Sequence, residues 1–168
     1  AVYTGRLDGD ESNRVAGLDT RLVFGSIYSV QLQGAISRDD RQGAVSTAPL
    51  WQAIVSRNGR RFVARYSLRG VSEDFGTASG FVSRAGIASA VVTHQFNFFG
   101  PEGGRWQKFS SDVALDGSWQ YEDFVRGHAS QDRKLHLNQN LTLRGGWEVG
   151  GSVLIETFGY DDRFYEDY

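Results

Sequence analysis

Apolar and polar residues alternate along most of this chain. Tyr28, Val30, Leu32 and Ile36 oppose Ser29, Gln31, Gln33 and Ser37, the period of two that a strand with unlike faces requires. Between residues 14 and 24, Ala16, Leu18, Thr20, Leu22 and Phe24 share a face against Gly17, Asp19 and Arg21. Asn58-Gly59 is suited to a two-residue hairpin turn. After it Phe62, Ala64, Tyr66 and Leu68 oppose Arg61, Arg65, Ser67 and Arg69, with Val63 the exception. Between 106 and 121, Phe109, Val113, Leu115, Trp119 and Tyr121 oppose Lys108, Ser110, Asp112, Asp116, Ser118 and Gln120. Leu135, Leu137, Leu141 and Leu143 oppose Lys134, His136, Asn138, Asn140 and Thr142, and after Gly145-Gly146, Trp147, Val149, Val153 and Ile155 oppose Glu148, Ser152 and Glu156. Residues 44–56 carry apolar side chains in both registers, and a strand from Gly80 to about Phe98 has mixed facing.

The pattern predicts about nine strands of roughly 10 to 14 residues in an antiparallel up-and-down meander. One domain spans 1–168, and no stretch keeps a helical period. Residues 1–7 read as a strand already in progress, and Gly100-Pro101-Glu102-Gly103-Gly104 is the strongest breaker. A composition of 21 Gly, 2 Pro and 13% aromatic residues suits strands joined by glycine turns. A net charge of −2 without a basic cluster argues against nucleic acid. Absence of Cys excludes disulfides and thiolate metal sites. No apolar run approaches the ~18 residues of a membrane helix, which leaves a membrane β-barrel open. The first five residues lack the features of a signal peptide, so a mature product or an excised piece is expected.

Alternation does not say which face is wet. Three features favour apolar outside. Connections alternate in length, tight at Gly25-Ser26, Asn58-Gly59 and Gly145-Gly146 and longer near 8–13, 38–43, 72–79 and 122–131, with the turn near Pro101 out of order. Aromatics gather at strand ends, with Phe24, Tyr28, Phe62, Phe98, Trp106 and Trp147 at one end and Tyr3, Phe81, Trp119, Tyr121, Phe158 and Tyr160 at the other. The polar face carries Asp19, Arg21, Arg65, Arg69, Asp112, Asp116, Lys134, Asn138 and Glu156, which inside a barrel would be lumen-facing and pair across strands. The expected fold is therefore an outer-membrane-type β-barrel. By this parity both chain ends fall on the side of the longer connections, as a fragment of a larger barrel would explain.

The stretch Val15 to Phe24 and the block Asp74-Phe75 followed by Gly80-Phe81-Val82 and Arg84 resemble an uncharacterised bacterial outer-membrane β-barrel family, a domain of unknown function. The resemblance implies that the chain is part of a large barrel preceded by a carbohydrate-binding-type domain. It implies no catalytic residues.

His94, His128 and His136 lack metal-site spacing, and neither metal nor cofactor is expected. A barrel-embedded hydrolase would need a set such as His136, Asp132 and Ser110 or Ser152. Acidic residues fall in the longer connections, from Asp8, Asp10, Glu11, Asp39 and Asp40 through Glu73, Asp74, Glu122 and Asp123 to Asp161, Asp162, Glu166 and Asp167. Arg57, Arg60, Arg61, Arg105 and Arg144 lie near the short turns. Two readings fit this distribution, plain solvation of the loops and a negative outer rim that holds divalent cations against lipopolysaccharide phosphates. The expectation is a non-catalytic, porin-like pore or uptake scaffold in the outer membrane of a Gram-negative-type bacterium. Its partners would be lipid, lipopolysaccharide and a small solute or carbohydrate. The alternative is a soluble barrel or sandwich holding an apolar ligand inside.

Overall fold

The computed structural model describes residues 1–78, 82 and 84–159. Nine antiparallel strands follow one another in a single sheet ordered as in the sequence. They are β1 (Val2–Asp8), β2 (Glu11–Phe24), β3 (Tyr28–Arg41), β4 (Ala44–Asn58), β5 (Phe62–Val71), β6 (Ile87–Phe99), β7 (Trp106–Gln120), β8 (Asp132–Leu143) and β9 (Glu148–Thr157). One helical turn, α1 (Tyr121–Val125), lies between β7 and β8. The all-β meander matches the alternation. Among the described residues no ladder joins β1 to β9, so the sheet is open at both edges.

Register places the apolar residues in continuous rows. Leu22, Val30, Val55, Tyr66, Val92, Leu115, Leu135 and Ile155 are successive partners from β2 to β9. Cross-strand partners share a face, so this row is one side of the sheet. Leu22 (58%), Val55 (44%), Leu115 (51%) and Ile155 (58%) are exposed along it. The opposite face is the more enclosed, since Ser29, Ser37, Ser56, Asn97 and Ser110 are buried there. Leu32, Tyr66 and Val153 are exposed on the apolar face and converge on no dry centre.

Four expectations are corrected. The connections near 8–13 and 38–43 are two-residue turns at 9–10 and 42–43, where Gly9, Gln42 and Gly43 take positive φ and let the charged flanks continue the ladder. The long connections are 72–86 and 121–131, both at the sheet end shared with those turns, called the loop end below; 25–27, 59–61, 100–105 and 144–147 lie at the turn end. Second, β6 begins at Ile87, after Gly86 turns the chain with φ +72°, and not at Gly80, which with Phe81 lies outside the described residues. Third, residues 121–125 form a helical turn where only loop is expected. Fourth, β1 and β9 run in the same direction, as the first and last of nine antiparallel strands must, so Val2 and Thr157 lie at opposite ends of the sheet and not on one side.

The facing of β4 is resolved by its partners. Trp51 and Val55 lie on the apolar face, while Leu50 and Ile54 lie on the polar one. Pro49 sits inside the strand because its carbonyl accepts the Ser72 N–H at 3.0 Å, past the end of the β4–β5 ladder. Its nitrogen faces the same way, so the missing N–H costs no bond to β3.

Candidate functional site

The polar face is the candidate site. Asp19, Gln33, Gln52, Arg69, Ser89, Ser118 and Asp132 form one cross-strand row. The next row is Arg21, Gln31, Ile54, Ser67, Val91, Asp116, Lys134 and Glu156. Arg65 pairs with Ser56, and Asp112 pairs with Asn138. All nine residues expected to look into a lumen thus lie on one face of the sheet.

The charges on that face are unevenly partnered. On β8 and β9, Lys134 Nζ meets a Glu156 carboxylate oxygen at 3.0 Å and lies 5.5 Å from the centre of the Phe158 ring. Ser118 donates to Asp132 at 2.9 Å. On β2 to β5, Arg21, Arg65 and Arg69 form no ion pair among the described residues. Between these halves β6 contributes no charged side chain to this face.

His136 Nε2 lies 2.8 Å from Ser152 Oγ, so two members of the imagined hydrolase set do meet. Asp132 does not complete it, because its carboxylate takes Ser118 and the Gly159 N–H. Ser110 lies apart, opposite Asn140. A nucleophile and base without an orienting carboxylate lack the third element of that chemistry.

At the rim, Arg6 pairs with Asp8 at 3.3 Å, Arg41 with Asp39 at 2.8 Å and Arg126 with Glu122 at 3.6 Å. His128 Nδ1 lies 3.1 Å from Asp123. Among the described residues no three metal-ligating side chains converge at the rim. Asp161, Asp162, Glu166 and Asp167 lie outside the described residues, as does Tyr160.

The apolar face has its own organisation. At the turn end, Phe24 stacks on Tyr28 at 5.6 Å, Phe62 meets Phe96 at 5.1 Å, and Phe98 meets Phe109 at 6.0 Å. Arg57 lies over both Tyr28 and Phe62, while Arg60 lies over Phe99, which alternation puts on the opposite face. Toward the loop end, Phe124 of α1 packs between Trp51 and Trp119 at 5.6 and 5.4 Å. The Trp51 indole N–H donates to Tyr121 Oη at 3.4 Å. Within the apolar rows three polar pairs occur, Tyr66 with His94 at 2.7 Å, Gln139 with Ser111 at 2.9 Å, and Arg133 with Ser130 at 2.7 Å, whereas Arg14 and Arg38, cross-strand partners toward the loop end, form no ion pair among the described residues. These pairings become visible only through register, and Phe158, expected among the aromatics of the apolar face, lies instead against Lys134 on the polar face.

No family model matches the chain, and no curated protein or solved structure is significantly similar to it.

Proposed function

We propose that these nine strands form wall of an outer-membrane-type β-barrel, with the apolar face on lipid and the polar face around an aqueous passage. The observation that carries this reading is the eight-strand apolar row, whose exposure would be costly in water and is favourable against hydrocarbon. Its dimensions fit. Phe109 and Trp119 bracket ten steps of β7, or about 33 Å at ~3.3 Å per residue. A tilt of ~40° reduces that to about 25 Å, the height of a barrel's apolar band. Pairing of Tyr66 with His94 and of Gln139 with Ser111 answers the demand that polar groups in lipid find partners within the protein.

Joined directly, β1 and β9 would make a parallel seam. Because β1 and β9 run in the same direction, an antiparallel seam needs an odd number of further strands between them. The role is that of a non-catalytic pore or uptake scaffold in a Gram-negative-type outer membrane, beside lipid and lipopolysaccharide. Arg21, Arg65, Arg69, Asp112 and Asp116 set the field that a solute meets. The sequence resemblance to an uncharacterised outer-membrane family favours the same compartment.

The test is migration of the full chain in detergent gels with and without boiling. A folded barrel is expected to run as a compact band that shifts on heating. A monodisperse protein in plain buffer without detergent would replace this reading with that of a soluble β-protein holding an apolar ligand.

A further inference from the structure

After β5, residues 72–78 do not leave the sheet end-on but fold back over the polar face of β2 to β4. Phe75 is 5% exposed and packs against Val15, Ala48 and Val71, with Ala35 and Leu50 beside them. Register puts these wall residues in two adjacent rows, Val15–Ser37–Ala48 and Ala35–Leu50–Val71. They form an apolar island on an otherwise polar face, and Phe75 covers it. Hydrogen bonds fix the same segment. The Gly76 N–H donates to Ser37 Oγ at 3.3 Å, Asn13 Nδ2 donates to the Gly76 carbonyl at 3.2 Å, and the Ala78 N–H donates to Asn13 Oδ1 at 2.9 Å.

We propose that residues 72–78 are a fixed constriction at the loop end of the passage, limiting solutes by size and favouring small cations over anions. The proposal rests on the pore reading above. Three anchors and a buried aromatic ring hold the segment against the wall, so it narrows the opening permanently and does not swing as a gate. Two recesses flank it, one lined by Arg6, Asp8, Glu11, Asp39 and Arg41, the other by Asp39, Arg41, Glu73 and Asp74. Arg6 and Arg41 are each tied to a neighbouring carboxylate, and Glu11 and Asp74 add carboxylates that no basic side chain of these recesses offsets. Carboxylates ringing a narrow opening raise the local concentration of cations and repel anions.

The experiment is conductance of the full chain in planar lipid bilayers, with exclusion of neutral polymers of graded size and reversal potentials in a potassium chloride gradient. Phe75→Ala should raise single-channel conductance and admit larger polymers. Glu11→Gln with Asp74→Asn leaves the three anchoring hydrogen bonds and Phe75 untouched and should diminish the cation preference without raising the polymer cut-off. If Phe75→Ala does not fold, the charge variant decides alone. Channels whose cut-off and reversal potential match wild type in the variants that fold would overturn the constriction and leave the pore standing. Refolded protein that never conducts, wild type included, would overturn the pore reading beneath it.

Discussion

Gly70 shows how closely single positions on the apolar face are fitted. It sits in register between Trp51 and Ala88, and a Cβ there would lie 2.4 Å from Trp51 Cζ2. Its role is space and not backbone freedom, since its φ is outside the left-handed region. Gly70→Val should push the Trp51 ring off Phe124 and Tyr121 at a cost of about 1–3 kcal/mol. Denaturation followed by tryptophan emission reads both effects. Gly34 lies in the same row with open space around its Cβ position, so Gly34→Ala should leave stability unchanged or raise it by about 0.5 kcal/mol. A second residue-scale contrast tests the face assignment. Leu115→Arg, in the middle of the apolar row, should destabilise the protein in vesicles by about 2–4 kcal/mol, whereas Asp112→Asn on the polar face should have little effect. Equal costs for the two would argue against lipid on the Leu115 side.

Among the elements, the hairpins at the loop end are the clearest case of chemistry misread from sequence. Gln42 and Gly43 take φ of 55° and 90°, the left-handed pair of a type I′ turn. Asn tolerates that conformation better than Gln, so Gln42→Asn should stabilise the β3–β4 hairpin by about 0.5 kcal/mol, measured by chemical denaturation. Charges around that turn resemble a loop in sequence, yet Arg38 to Arg41 are ladder residues of a strand that continues beyond the apolar rows. Elsewhere local pattern sufficed. β2, β3, β5, β7, β8 and β9 were legible because each has one apolar and one polar face, and the nine polar site residues follow from that alternation. β4 was not, because Leu50 is apolar on the polar face to meet the Phe75 island, a partner distant in sequence. α1 has a single turn, too short to show a period, and the inward fold of 72–78 was missed. The signal for the latter was one aromatic residue, Phe75, in an otherwise polar connection.

At the scale of the whole molecule, the placement of tryptophan separates a membrane wall from a soluble sheet. Trp51 and Trp119 lie in one row toward the loop end, packed against Phe124. Trp106 is paired with Leu143 at the turn end, and Trp147 stands 74% exposed in the neighbouring turn. None of the four occupies the central row from Leu22 to Ile155. A core built from this apolar face would have no reason to exclude its largest side chains from the middle, whereas a bilayer draws indole rings to its two interfaces. In vesicles of brominated lipids, bromine near the headgroups should therefore quench emission more than bromine near the chain ends. Leu115→Trp in a protein whose four natural tryptophans are replaced by phenylalanine should reverse that order, because the one remaining indole lies at mid-height between the aromatic ends. Quenching that ignores bromine depth in both proteins would mean that the row meets no hydrocarbon, and the exposed apolar face would then have to be covered by protein.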